Sequence, residues 1–192
     1  ALPILGGEAE AVKVAVRLRP FNQREKDRNA KLCINMIGNK TTIANPAEPD
    51  GKPKEFTFDF SYWSHDKSHE FHDQVTVFKD LGIGVLDNAW NGFNTSLFAY
   101  GQTGSGKSYS MVGYGEDKGI IPLTCDELFK RIQRSEEAHT TFAVEVSMLE
   151  IYNEQINDLL NPKNRPKGGL KIRSNSALGV YVEGLSKHVV KN

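Results

Sequence analysis

The chain has 192 residues, a length suited to one domain with a real core. Lys and Arg total 24 against 24 Asp and Glu, so bulk charge argues against a nucleic-acid binder and any basic surface must be local. The two cysteines, Cys33 and Cys125, lack metal or disulfide spacing and read as reduced thiols of a cytosolic protein, and no apolar run reaches transmembrane length.

Residues 1–11 read as an amino-terminal extension or tag remnant: Ala1 to Gly7 are apolar but too few for a signal core, and no Met opens the chain. Val12 to Leu18 alternates as a strand and must stop at Arg19-Pro20. A short polar helix is expected over Asn22 to Arg28. Cys33 to Met36, Thr41 to Ala44 and Glu55 to Phe60 read as short strands, the last two separated by a turn cluster from Pro46 to Pro53. Val75, Val77, Phe78, Leu81, Ile83, Val85, Leu86 and Trp90 recur at helical spacing, predicting an amphipathic helix that ends at Gly92.

Thr95 to Tyr100 reads as a buried strand, and a helix is expected to open at Ser108. Gly113 to Gly119 is predicted to interrupt that helix as a flexible loop, with Pro122 in the first turn of the resumed helix to about Arg134. Phe142 to Tyr152 forms one long strand. Asn153 then caps a short helix bearing Ile156, Leu159 and Leu160. Leu170 to Arg173 and Val180 to Val182 read as a strand pair. Strands alternating with helices define an α/β class.

Between the predicted strand and helix lies Gly101-Gln102-Thr103-Gly104-Ser105-Gly106-Lys107-Ser108, which matches G-x-x-x-x-G-K-[ST]. The glycines allow a tight loop whose backbone N–H groups aim at phosphate, Lys107 adds charge for the outer phosphates, and the Ser108 hydroxyl can ligate Mg²⁺. The strand and helix flanks make this a nucleotide site. By itself the loop admits kinases and GTPases as well as ATP-driven machines. A guanine-specifying N-K-x-D is absent, since Asn39-Lys40 is followed by Thr41-Thr42.

Other signals are weaker. Lys163, Arg165, Lys167, Lys171 and Arg173 put five positive charges in eleven residues with no acid among them, either a solvated loop or a contact for an acidic partner. His65, His69 and His72 with Asp66 and Asp73 are loosely compatible with a metal site, but solvated residues before a helix are the expected reading. Glu150, Glu154 and Asp158 recur every four residues, yet a catalytic carboxylate pair is not expected because Glu150 falls on a strand.

Taken together, the chain resembles the kinesin motor domain over about Val12 to Asn192. The match is carried by Val14 to Pro20, Phe56 to Phe60, Phe98 to Tyr100 with the phosphate loop, Gly119 to Pro122, Glu150 to Glu154 with Asp158 to Leu160, and Gly179 to Leu185. Ser61 to His65 and Leu160 to Lys163 look most like the kinesin-3 group; Arg173-Ser174-Asn175-Ser176 and Val180 depart from it. The resemblance implies a phosphate-loop NTPase of kinesin motor type, with a central β-sheet flanked by helices and present only in part. Arg17, Arg19 and Pro20 would flank adenine, with Tyr109 on its other face. Gln102 to Ser108 would wrap the phosphates of ATP or ADP, and Ser108 would hold Mg²⁺.

The same resemblance turns the basic segment toward the microtubule and implies a cytoplasmic, cytoskeletal location. It implies plus-end movement, and cargo bound through a tail not in this sequence. Kinesins position the attacking water and complete the metal shell with N-x-x-S-S-R-S-H and D-x-x-G, and neither occurs here, so the catalytic residues stay unassigned. Two readings therefore remain: the amino-terminal half of a microtubule-stimulated ATPase, or a truncated, non-motor kinesin-like module that binds nucleotide or tubulin without turnover. Because later strands of the family's sheet lie between the early ones, these residues alone are expected to fold poorly and to hydrolyse no ATP.

Overall fold

The computed structural model describes residues 12–135, 140–164, 166–176 and 179–191; residues 1–11, on which the extension was expected, lie outside the described residues. Two compact units are present, one ending at Cys125 and one starting at Asp126.

In the first unit, β1 (Ala15–Leu18) stops before Arg19-Pro20 as expected. Helix α1 (Gln23–Asp27) follows, opened by a capping box in which Glu25 N–H donates to Asn22 Oδ1 (2.9 Å) and Asn22 N–H donates to Glu25 Oε2 (2.8 Å). Strands β2 (Ile34–Ile37), β3 (Lys40–Ile43) and β4 (Lys54–Thr57) form an antiparallel sheet. The run read as one strand from Glu55 to Phe60 is two. At Phe58 and Asp59 the backbone changes partner, from the Asn39 carbonyl (3.0 Å) to the Val14 carbonyl (3.0 Å). Strand β5 (Phe60–Trp63) then pairs in parallel with β1, Ala15 opposite Phe60 and Leu18 opposite Trp63.

The predicted helix over 75–90 is present with a fault in it: α2 (Gln74–Val77), a π-helical segment (Phe78–Gly82) and α3 (Ile83–Trp90). The Phe78 ring lies where a Cβ on Gly82 would stand, so a larger residue there would have to push that ring aside. Tyr62, Val77 and Ile120 form the buried cluster, with Ala15, Phe60, Leu81 and Leu97 packed against it. Trp63, 2% exposed, satisfies its indole N–H on the carbonyl and carboxylate of Asp66 (both 3.1 Å) and stacks on His69 at 4.2 Å. The three histidines are thus not simply solvated: His65 meets Phe21 edge-on and hydrogen-bonds the Arg19 carbonyl (3.0 Å), and His72 lies beside Tyr62.

Helix α4 (Lys107–Met111) is short. The segment expected as a flexible loop is instead a hairpin of β6 (Gly113–Tyr114) and β7 (Asp117–Lys118). Gly113, at φ 80°, is required there because a Cβ would collide with the Asp117 carbonyl. Helix α5 (Ile120–Arg134) follows with Pro122 in its first turn, as predicted.

The second unit takes in α5 from Asp126 onward, and the rest of it is built of antiparallel pairs. The long strand expected over 142–152 is broken into β8 (Val144–Val146) and β9 (Leu149–Tyr152). The helix expected after Asn153 is β10 (Gln155–Asp158), paired with β9 through a two-residue turn in which Asn153 and Glu154 have φ of 48° and 62°. Strands β11 (Lys171–Asn175) and β12 (Gly179–Glu183) form the predicted pair, and β13 (His188–Val190), not anticipated, pairs with β8.

Asp158 is fully buried and ties three segments. Its Oδ1 accepts from Leu160 and Asn161 N–H (both 3.0 Å), and its Oδ2 accepts from Ser186 N–H (2.8 Å). These bonds, Ser186 foremost, hold its carboxyl below the ordinary range. A structural staple, rather than an acid or base, is what this carboxylate forms.

Candidate functional site

The loop at Gly101 to Ser108 has the backbone its sequence requires. Gly101, Gly104 and Gly106 take φ of 150°, 79° and 99°, and a Cβ on Gly101 would come within 2.5 Å of Ser105 Oγ. Ser105 N–H closes a turn on the Gln102 carbonyl (3.1 Å). The Lys107 ammonium folds back onto the carbonyls of Gly101 (2.7 Å) and Gln102 (2.9 Å). Gly106 precedes α4, and its carbonyl accepts from Ser110 N–H (3.0 Å).

The approach to this loop differs from expectation. Thr95 to Tyr100 pairs with no strand among the described residues, and Phe98 and Tyr100 are exposed rather than buried. A strand exists only through its ladder, and the composition that signals one cannot supply the neighbour. Leu97 alone of the run packs on the Tyr62 cluster.

A cavity of about 550 Å³ opens beside the loop, lined on its polar side by Arg17, Arg19, Pro20, Ser105, Gly106, Lys107, Tyr109 and Ser110. Phe71, Leu81 and Leu97 contribute to its apolar side. Of the site residues read from sequence, Gly101 to Gly104 and Ser108 lie outside this lining, with the Ser108 side chain exposed on the first turn of α4.

Arg17 is the centre of the polar wall. Its Nε donates to Ser64 Oγ (2.9 Å), and its Nη1 donates to Gln74 Oε1 (2.7 Å) and Ser110 Oγ (3.0 Å). Its guanidinium lies 5.3 Å from the Tyr109 ring centroid. Burial presses its pKa down, the nearby Tyr109 and Asp73 opposing, and all three hydrogen-bond acceptors are neutral oxygens. A half-buried cation held by neutral groups at a cavity wall leaves positive potential for an electron-rich or anionic ligand.

In this structure the two sides of the expected adenine clasp stand close together. Stacked groups approach to about 3.5 Å, so a purine between two planes needs about 7 Å. Arg17 Cζ lies 5.3 Å from the Tyr109 ring centroid, so as these side chains stand they leave less than that width between them. Arg17 braces the ring instead of facing it across a slot.

Arg19 is engaged differently, in a two-pronged pair with Glu25 (2.7 and 2.8 Å) and a bond to the Pro20 carbonyl (2.7 Å). That pair, with the Asn22 amide, lowers the Glu25 pKa to about 2. Burial, with Asp117 nearby, raises the Tyr109 pKa.

Sequence reading missed Ser64, Gln74 and Ser110. No local signal marked them: a buried arginine needs acceptors, but the fold decides which residues supply them.

The basic segment is less uniform than its sequence. Arg165 lies outside the described residues. Arg173 pairs with Glu183 across the β11–β12 hairpin (2.9 Å), and Lys171 stands opposite that same glutamate in register. A run without acids has thus acquired one by pairing. Among the described residues, no cluster of His, Cys, Asp or Glu suited to a metal and no helix long and apolar enough to cross a membrane is found.

A glycine-hinged phosphate loop, a short helix after it and a basic-walled cavity define a phosphate-loop α/β protein. Comparison with known proteins narrows the class. The kinesin motor domain family model matches residues 17–192. Kinesin-related protein 1 of Dictyostelium discoideum is 55% identical over 94% of this chain and 9% of its own length. Kinesin-like protein KIF1A of Rattus norvegicus is 50% identical over 94% and 11%. A solved KIF14 dimer, with AMP-PNP and in complex with a microtubule, superposes with a TM-score of 0.85 at 43% identity, covering 93% of this chain and 50% of that one. The chain belongs to the kinesin motor domain family, and KIF1A, KIF1B, KIF1C and KIF28, its relatives at about 50% identity, are kinesin-3 members. It spans about half of the solved motor domains and about a tenth of these two curated relatives.

Proposed function

We propose that this chain is the nucleotide-binding half of a microtubule motor ATPase, with residues 12–192 as the amino-terminal half of the motor domain. The observation that carries the reading is the juxtaposition of the glycine-hinged loop with Arg17, Arg19 and Lys107 around one cavity. Relatives solved with ADP or AMP-PNP support the same chemistry.

ATP or ADP would place its phosphates against Gln102 to Ser108. There the Lys107 ammonium exchanges the Gly101 and Gln102 carbonyls for phosphate oxygens, a stronger charge-assisted contact. The donor set fits the phosphates: three positive-φ glycines bare the backbone N–H groups. Arg19 and Pro20 would lie along one face of the adenine and Tyr109, braced by Arg17, along the other. The exposed Ser108 hydroxyl would give Mg²⁺ one oxygen ligand, and the ion when bound neutralises charge on the outer phosphates.

Binding is assigned to this chain and turnover to the full-length protein, because neither N-x-x-S-S-R-S-H nor D-x-x-G occurs in these 192 residues. For the microtubule, Lys163, Lys167 and Lys171 are the contacts of choice, with Arg165 and Arg173 beside them. The KIF14 structures in complex with microtubules support this partner, and a cytoskeletal location in the cytoplasm would go with it. Cargo would be carried by a tail outside these residues.

The test is equilibrium binding of a fluorescent ADP alongside microtubule-stimulated ATPase, both in the full-length protein. Lys107→Ala should abolish both, and salt should weaken the microtubule contact. Steady hydrolysis by the 192 residues alone would overturn the division of labour.

A further inference from the structure

Gln74 opens α2 and is 6% exposed, yet it does not line the cavity. Its amide makes three links from behind the wall. Oε1 accepts from Arg17 Nη1 (2.7 Å), while Nε2 donates to the backbone carbonyl of Tyr109 (2.7 Å) and to that of Asp117 (3.3 Å). The two short links end on the Arg17 guanidinium and on the backbone of Tyr109, whose ring centroid lies 5.3 Å from that guanidinium at the cavity.

The chemistry of the position is restrictive. One planar end must accept from a cation and donate to carbonyls, which an amide does and a carboxylate, ammonium or hydroxyl cannot do with the same geometry. The phosphate loop is held separately. Its turn rests on Ser105 and Gln102, and Lys107 rests on Gly101 and Gln102; none of these bonds involves Gln74.

We infer that Gln74 is a positioning residue for nucleobase recognition, fixing Arg17 and Tyr109 relative to each other and so setting the preference of the cavity for a base it does not touch. The inference rests on the ATP reading above. It separates two parts of one ligand: the base is governed through Gln74, the phosphates are not.

That separation is measurable. Competition binding of ATP and of inorganic tripolyphosphate is compared in the full-length protein and in Gln74→Leu and Gln74→Glu. The wild type should prefer ATP; equal affinity for the two would overturn the base-binding reading and this inference with it. Gln74→Leu removes all three links at similar volume. It should weaken ATP about tenfold, roughly 1.4 kcal/mol, while tripolyphosphate changes less than about twofold. Gln74→Glu keeps the acceptor for Arg17 but turns a carboxylate oxygen toward two carbonyls, so its loss should fall between. Retained tripolyphosphate binding also reports that a variant is folded. If ATP and tripolyphosphate weaken together in both variants, or if neither weakens, Gln74 is merely structural or idle and the inference fails.

Discussion

The two units hold themselves together over different distances in the chain. In the first, Arg17 reaches Ser64, Gln74 and Ser110, the last 93 residues away, and Tyr62 of β5 is buried against Val77 of α2 and Ile120 of α5. In the second, the order is mostly local: β9 turns into β10 and β11 pairs with β12, with both β9 and β11 exposed along their whole length. Its buried points are few, Ile156, Leu170 and Asp158 among them. Local pairs close small loops and take their register from turns, whereas a site assembled from distant residues must close long ones. The cavity therefore depends on packing, and the hairpins depend on turn chemistry and a single buried carboxylate.

The sharpest way to break this contrast is through the core. Trp63→Ala should cost the first unit about 3–5 kcal/mol, read as a fall in its denaturation midpoint and loss of nucleotide binding. A change below about 1 kcal/mol would mean the aromatic core is not what supports the cavity.

Acid should distinguish the units next. Glu25 and Asp158 both have folded pKa values below their ordinary 4.5 and 3.8. The stability they contribute is complete above those ordinary values and is lost as pH falls through the lowered ones, for Glu25 between 4.5 and about 2. The Glu25 share rests first on the Arg19 charge and should also fade with salt. The Asp158 share rests on Ser186 and backbone N–H groups and should not. Denaturation between pH 6 and 2 at two salt levels checks this, with Glu25→Gln and Asp158→Asn each flattening one component.

Smaller effects probe the ends of elements. Asn22→Ala removes the acceptor for Glu25 N–H and should cost about 1 kcal/mol, seen as fraying of α1 and loosening of the Arg19–Glu25 pair. Glu154→Gly relieves a left-handed residue in the β9–β10 turn and should stabilise the hairpin by roughly 0.5–1 kcal/mol. Destabilisation there would mean the glutamate side chain contributes more than its backbone costs.

Several elements were legible in the sequence for local reasons. The capped helix at Asn22, the stop at Arg19-Pro20, the amphipathic run to Trp90 and the glycine loop each carry their cause within a few residues. The misread ones do not. Ile156, Leu159 and Leu160 sit at helical spacing, and Asn153 is a good cap, so a helix was the local answer; the Asn153-Glu154 turn and the strand before it won instead. Thr95 to Tyr100 has strand composition without a strand partner among the described residues. Of the site, the glycines, Lys107 and Ser108 could be read directly, while Ser64, Gln74 and Ser110 could not, since nothing near them says that an arginine will arrive.

The sequence by itself determined the phosphate loop, the family and the residue types the loop carries, because a glycine's backbone freedom and a lysine's charge travel with the residue. Tertiary structure alone decided what those residues face. It set Arg17 against Tyr109, placed Gln74 behind both and laid Glu183 across from Arg173, since hydrogen bonding and burial belong to pairs that only folding brings together.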